Sequence, residues 1–297
     1  MAQMPYTFFG STGMEVSRLC LGAMTFGTKG LAEVEACGRV LDESLAAGVN
    51  FIDTAECYGD HVSERLIGAA IAGQRADWII ATKFGHKFHG HMNRTEPRSA
   101  AEIAVQLEDS LRALRTDYID IYQYHSWGDS QFDDPEVLSY LKAEQKRGRI
   151  RHIGVSISKN TNMHQTGQCG ARGIEVLQVI YNRLDRAPER EVLPSAQAQQ
   201  VGVLARVPLA SGLLSGKYRP GVEFAANDVR SGHDKAQRDA RLLEVEHIAR
   251  DEVPAGMAMS QWALAWCLKH PAVTAVIPGC KTVEQVRANA MAGDIIL

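Results

Sequence analysis

Eight short apolar runs recur along the 297-residue chain, most of them separated by an amphipathic stretch. They are RLCLG (18–22), VNFID (49–53), WIIAT (78–82), YIDIYQY (118–124), RHIGVS (151–156), VLQVIY (176–181), GVLARV (202–207) and VTAVIP (273–278). Several are too short and too uniformly apolar for strands with one face in water. They suit a parallel sheet covered on both faces.

The stretches between them read as helices. Val34, Leu41 and Leu45 share a face in 32–47, with Gly48 as a stop signal. Ile103, Leu107, Leu111 and Leu114 form a stripe in 98–115. Residues 135–147, 188–200 and 256–269 follow the same pattern, and 282–291 opens on the capping box Thr282-Val-Glu-Gln285. The segment 160–172 is polar, carries glycines and has the weakest helical signal. At the start, YTFF (6–9) and MEVS (14–17) flank the turn-forming GSTG, the pattern of a hairpin.

Eight strand–helix units predict an α/β chain folded as a (β/α)8 TIM barrel with an N-terminal β-hairpin. A doubly wound sheet would carry GxGxxG after its first strand. Here that strand leads into GAMTFGTKG, with different glycine spacing. The connection 208–272 is long, and its polar, turn-rich part 218–236 is expected to be a loop. No linker or low-complexity segment divides the chain, so residues 1–297 are expected to form one domain.

Composition narrows the function classes. Hydrophobic residues make up 45% and charged residues 23%, with a net charge of −3. That balance leaves no electrostatic footprint for nucleic acid or anionic membrane. No apolar run approaches the roughly 18 residues of a membrane span, and MAQMPYTFFG lacks the character of a signal peptide. Cysteines at 20, 37, 57, 169, 267 and 280 form no CxxC pair, which points to reduced thiols and a cytoplasmic protein.

Barrel chemistry sits where strands end. Asp53, Lys83 and His125 fall at the ends of the second, third and fourth runs, and Tyr58 lies in the loop after the second. Each alone has a plain structural reading: a turn cap, a lysine with its head in solvent, a structural histidine, a packing aromatic. Together they make a proton-transfer site. Lys83 is expected to lower the tyrosine pKa from about 10. Asp53 would keep Lys83 charged, and His125 would donate a hydrogen bond to a carbonyl oxygen. The reaction that needs this set is carbonyl reduction, with Tyr58 protonating oxygen as hydride reaches carbon. That chemistry needs no metal, and HKFHGH (His86, His89, His91) reads as a solvated loop near the mouth. Cys57 reads as an inert thiol.

The runs FIDTAECYG (51–59), ATK (81–83) and YQYH (122–125) carry this set. With them the sequence resembles the aldo-keto reductase superfamily. GSTGMEVSRLCLGAMTFG (10–27), GVS (154–156), QVIYN (178–182), PLASGLLSGKY (208–218) and IPGCKTVEQVRANA (277–290) follow in the same order, so the resemblance spans nearly the whole chain. It implies an NADP(H)-dependent oxidoreductase that reduces an aldehyde or ketone, with Asp53, Tyr58, Lys83 and His125 catalytic.

The resemblance also implies a cofactor groove. Gly22, Ala23, Met24 and Asp53 would line its nicotinamide end, with Ser156 and Gln178 on the carboxamide. Ile157 stands where many members have Asn, and Arg206 where many stack an aromatic ring on the nicotinamide. Pro208, Leu209, Ser211, Gly212 and Lys217 match the pyrophosphate segment, and Arg230 is a candidate clasp. Gly279, Lys281, Gln285 and Asn289 match the adenosine end. Lys281, just before a helix, suits a 2′-phosphate and favours NADPH over NADH. Gln285 either caps that helix or binds adenine. Met24, Tyr58, His125 and Trp127 are candidate substrate contacts, with Met24 and Trp127 equally readable as core. Two other readings are a nicotinamide-binding redox-sensing or regulatory subunit and a Schiff-base enzyme on Lys83. The intact set of four opposes the first, and the expected charge on Lys83 opposes the second.

Overall fold

The computed structural model describes residues 4–27, 31–90, 93–97, 99–225, 228–232 and 234–297. Strands β1 (Tyr6–Phe8) and β2 (Glu15–Ser17) pair antiparallel as the expected hairpin. Next come β3 (Leu21–Gly22), β4 (Phe51–Asp53) and β5 (Ile79–Phe84). A second hairpin follows, β6 (Lys87–Gly90) with β7 (Asn93–Thr95). The remaining strands are β8 (Ile119–His125), β9 (Ile150–Ser156), β10 (Val176–Ile180), β11 (Gly202–Arg206) and β12 (Val273–Ile277).

Strands β3, β4, β5 and β8 to β12 lie side by side in chain order, all parallel. The first and last meet. The Cys20 N–H donates to the Val276 carbonyl at 2.8 Å, and the Gly22 N–H to that of Pro278 at 3.0 Å. These bonds complete a (β/α)8 barrel whose strands fall on the eight apolar runs. No helix among the described residues is long and apolar enough to cross a membrane.

Two apolar layers hold the barrel. Inside it, Phe9, Phe51, Ala81, Ile121, Val176, Leu204 and Ala275 pack together. Outside, the helices cover the sheet, with Ile103, Leu107, Leu111 and Leu114 buried as their spacing predicts. In the helix Val34–Ala46 the buried face is Cys37, Val40, Leu41 and Ser44, while Val34 is exposed. Leu41 and half-buried Leu45 pack on the core as expected, so of the three stripe residues Val34 alone turns outward.

Three elements carried too little pattern to be expected. The helix Val62–Ala70 lies between β4 and β5. The strands of the β6–β7 hairpin are built mainly of polar residues, with Phe88 their one large apolar side chain. The helix Lys235–Asp251 supplies Leu242, Val245 and Ile248 as its buried apolar contacts, and eight of its 17 residues are charged. Segment 160–172 forms two short helices, Met163–Gly167 and Cys169–Arg172. Most of the described part of 218–234 is irregular, with one short turn at Val229–Gly232.

The N-terminal hairpin plugs one end of the barrel. Phe9 is fully buried and meets Phe51 edge-on, with ring centroids 5.6 Å apart. Gly202 makes room for it, since a Cβ there would lie 2.2 Å from the Phe9 ring. Phe9→Ala is expected to destabilise the fold by about 3–5 kcal/mol, the usual range for a buried phenylalanine. Denaturant unfolding measures the loss.

Candidate active site

Strand register brings the polar residues together at the opposite end. Asp53 pairs with Ala81 across β4 and β5, Lys83 with Gln123 across β5 and β8, and His125 with Ser156 across β8 and β9. Lys83 is 1% exposed, and its ammonium donates to Asp53 Oδ1 and to the Thr54 carbonyl, both at 2.7 Å. Asp53 Oδ2 accepts from Gln178 Nε2 at 2.8 Å and from Gln123 Nε2 at 3.3 Å. Gly154 admits Gln123, whose Cγ lies 2.7 Å from where a Cβ would sit. Gln123 is a site residue that the sequence motifs contained but did not single out. Its signal is parity, two positions before His125 on the same strand face.

Tyr58 stands on the loop after β4. Its ring centroid is 5.2 Å from Lys83 Nζ, and it meets the His125 ring edge-on at 6.2 Å. The loop doubles back tightly. Asp60 and His61 adopt left-handed backbone with φ of 53° and 61°. The Thr54 and Ser63 hydroxyls bond at 2.8 Å, and Ser63 donates to the Ala23 carbonyl at 2.9 Å. Glu64, buried, accepts from the Thr82 hydroxyl at 2.6 Å and pairs with His61.

Burial works against a charged Lys83, but the charge of the Asp53 carboxylate and its hydrogen bond outweigh it and hold the pKa above the ordinary lysine value. The lysine does not bring Tyr58 below free tyrosine. Burial outweighs the pull of Lys83, Asp53 adds to it, and the phenol is raised. Tyr58 is therefore protonated at neutral pH. Burial and then the Lys83 charge hold His125 well below its usual value, so the imidazole is neutral.

The residues expected along the groove are arranged as follows. The Ala23 N–H donates to the Asp53 carbonyl at 2.9 Å, next to buried Gly22, and Met24 is 59% exposed. The Ser156 hydroxyl donates to Gln178 Oε1 at 3.3 Å. Arg206 Nη2 donates to the Ile157 carbonyl at 3.1 Å, while its buried Nε has no partner. Past buried Pro208 and half-buried Leu209, the backbone turns left-handed at Ser211 and Gly212, with φ of 55° and 89°. Arg230 reaches back over this turn to the Ser211 carbonyl at 3.4 Å and to Tyr218 Oη at 2.9 Å. Lys217, Gly279 and Lys281 are exposed.

Thr282 caps the last helix by accepting from the Gln285 N–H at 3.2 Å, while Gln285 Oε1 accepts the Lys281 N–H at 2.8 Å. Asn289 is buried and donates to Cys280 Sγ at 3.2 Å. Trp127 is 1% exposed, packs on Phe84 and Tyr124, and donates to the Gly85 carbonyl at 2.8 Å. Its ring is thus core beneath the mouth rather than a wall of it.

His86 lies against His125, with ring centroids at 4.7 Å, whereas His89 bonds Thr95 at the surface. His91 falls outside the described residues. Among the described residues, Glu56, Cys57 and His125 bring three potential ligand atoms within 4.8 Å of one another. Burial pushes the Cys57 thiol up to about 12, so it stays a thiol.

The sequence pattern of the Aldo/keto reductase family matches residues 18–297. The chain belongs to this family. It is 34% identical to the uncharacterized oxidoreductase YrpG of Bacillus subtilis, over 99% of this chain and 92% of that one. It is 29% identical to a probable voltage-gated potassium channel subunit beta of Oryza sativa, over 99% and 92%. Among solved structures it is similar to the aldo-keto reductase AKR11C1 from Bacillus halodurans in its holo form. There the TM-score is 0.82 and the identity 32%, over 99% of this chain and 92% of that one. The chain is an oxidoreductase of this family, and aldo-keto reductases generally use nicotinamide cofactors.

The loop that carries Tyr58 has a pH-dependent anchor. Burial opposes a charge on His61, but the bond to Glu64 and its charge prevail and raise the pKa above 6.5. A raised histidine contributes stability that is fully present below its unfolded value and lost as pH rises through its folded value. The melting-temperature gap between this aldo-keto reductase and its His61→Asn variant is expected to be wide in mild acid and to narrow in mild alkali. Thermal unfolding across that range measures it.

Proposed function

We propose that the chain is an NADPH-dependent reductase of aldehydes or ketones, with Tyr58 as the general acid. The observation that carries this reading is the charged Lys83, held against Asp53 and facing a protonated Tyr58 beside a neutral His125. When bound, the nicotinamide cofactor supplies hydride to the carbonyl carbon. The Tyr58 hydroxyl gives its proton to the carbonyl oxygen. Lys83 stabilises the phenolate left behind, and Asp53 keeps the lysine charged. His125 donates from Nε2 to the same oxygen and orients it. A positioned acid of this kind contributes roughly 10²–10⁴-fold.

The donor set fits the cofactor. Gln178 Oε1 keeps a lone pair free beside Ser156 for a carboxamide N–H. The unpartnered Arg206 Nε lies at the same end, and a guanidinium can stack on a flat ring. The backbone of Ser211 and Gly212 suits close approach to phosphate, with Pro208 and Leu209 behind it and Lys217 beyond. Nothing within 4 Å would meet a Cβ at Gly279, so that stretch is open to a ligand. Lys281 supplies a cation for a 2′-phosphate. Gln285 accepts the Lys281 backbone N–H, and Asn289 donates to the Cys280 sulfur beside it. Exposed Met24 lines the substrate side with Tyr58 and His125.

The likeness to channel beta subunits supports a second reading, a nicotinamide-binding regulatory subunit. Turnover separates the two. A panel of aldehydes and ketones, followed by the loss of NADPH absorbance, is expected to reveal substrates, and no turnover of any would overturn the enzyme reading. Tyr58→Phe is expected to lower kcat by at least about 10²-fold while the NADPH Kd stays unchanged. Lys281→Ala is expected to weaken NADPH more than NADH in fluorescence titrations, and equal weakening would remove Lys281 from the 2′-phosphate.

A further inference from the structure

Glu56 lies in the catalytic loop but has no part in the scheme above. It is 2% exposed. Its Oε1 accepts the His86 backbone N–H at 2.9 Å. Its Oε2 is buried without a partner and lies 3.9 Å from His125 Nδ1. A buried oxygen with no donor facing a ring nitrogen is an unmade bond, and active-site bonds commonly tighten only when substrate is bound.

His125 is neutral, so one ring nitrogen carries hydrogen and the other a lone pair. The proposed reduction needs the hydrogen on Nε2, where it can meet the carbonyl oxygen. Nδ1 is then an acceptor. Its neighbours are the Cys57 sulfur at 3.6 Å and Glu56 Oε2. A thiol is a weak donor, whereas a protonated carboxyl is a strong one.

We propose that protonated Glu56 donates from Oε2 to His125 Nδ1 and so fixes the tautomer whose Nε2–H holds the substrate carbonyl. The assignment rests on the reductase reading. Glu56 acts through His125 and is a positioning residue. Burial lifts its pKa to about 7, against the His86 backbone N–H and the charge of Lys83. Below that value Oε2 is a donor. Above it the carboxylate can only accept, which favours hydrogen on Nδ1. Nε2 then ceases to donate to a carbonyl and can accept from an alcohol hydroxyl instead. The ring is neutral in both states, and the Glu56 proton leaves to solvent.

The charged and titratable groups around Glu56 come from four directions. Cys57 and His61 lie on its own loop and the helix that follows. Lys83 and His86 come from the end of β5, Arg94 from β7, and Tyr122 and His125 from β8. Burial holds His86 down at about 4, so it does not titrate near neutrality. His61 is raised, against burial, by Glu64 and is paired with that residue rather than with His125. A Glu56→Gln substitution separates the two, because its amide nitrogen donates at every pH.

The test combines nitrogen-15 NMR of histidine-labelled protein with pH profiles of kcat. The His125 signals are assigned by loss in His125→Asn. Wild type is expected to show the Nε2–H tautomer in mild acid and to shift towards Nδ1–H as pH rises through about 7. Glu56→Gln is expected to stay Nε2–H throughout, to keep reduction within about threefold of the acid-limb rate, and to lose its fall above neutrality. Glu56→Leu is expected to lower kcat about 10-fold or more with the NADPH Kd unchanged, the scale of lost second-layer support. An Nδ1–H tautomer in acid, or identical pH profiles for wild type and Glu56→Gln, would overturn the assignment. If no carbonyl is reduced, the reductase reading fails and the histidine spectra still decide the Glu56 contact. If the variants do not fold, the wild-type titration decides alone.

Discussion

A buried ion pair sets the chemistry of this barrel. Lys83 and Asp53 lie almost wholly out of water, where an unpaired charge would cost several kcal/mol and would give up or take up a proton instead. The pair persists because both ends are well satisfied. Lys83 donates to two oxygens, and Asp53 accepts from Lys83, Gln123 and Gln178. Three strands supply the donors to Asp53, so its charge depends on the closure of the sheet rather than on any one segment. The resulting positive field acts on both neighbours. Burial and then the Lys83 charge keep His125 neutral, and the same charge opposes the rise of Tyr58.

In the proposed reduction, the direction of the Tyr58 shift alters how that field is used. A tyrosine already ionised would have no proton to give. Here burial keeps the phenol loaded, and Lys83 acts on it mainly once the proton has left. An interaction that strengthens as negative charge develops on oxygen favours the transition state over the ground state, which is the requirement for accelerating a step. The same reasoning explains a lysine with no role as nucleophile. Held above the ordinary value by Asp53, it has no free lone pair for a Schiff base.

The architecture was legible because its signal is a period. Eight apolar runs, doubly covered, admit few folds, and the strands fall on them. Regions governed by particular partners were not legible. Nearly half of the helix Lys235–Asp251 is charged, and its few apolar contacts become a stripe only against the segment beneath it. Leu41 and Leu45 pack on the core as their spacing predicts, but Val34 turns outward and the small Cys37 and Ser44 share the inner face. The catalytic loop was readable as a motif, but Glu56 within it was not. Nothing in FIDTAECYG says that one carboxylate oxygen is stranded beside an imidazole nitrogen from a strand some seventy residues on. Trp127 likewise has one residue type and two readings, and only packing on Phe84 and Tyr124 makes it core.

The long final connection joins these lessons. Val207, Ala210 and Ser211 all adopt left-handed backbone, with φ of 57°, 48° and 55°. For a β-branched residue such as Val207 that conformation is an outlier, and each such residue costs on the order of 1–3 kcal/mol. The turn survives because its other face is buried. Ala210, Leu213 and Leu214 pack with Leu242, Val245 and Ile248 of the helix Lys235–Asp251 and with Trp262 and Ala263 of the helix Met259–Leu268. Fully burying a leucine or valine stabilises by about 1.5–3 kcal/mol, so a few such contacts offset the strain. Arg230, locked to Asp228 at 2.6 Å and laid over the Phe224 ring at 4.0 Å, closes the exposed side. A polar-looking insertion therefore has an apolar task. It supplies the third core of the protein and holds in place a backbone turn that strain alone would release.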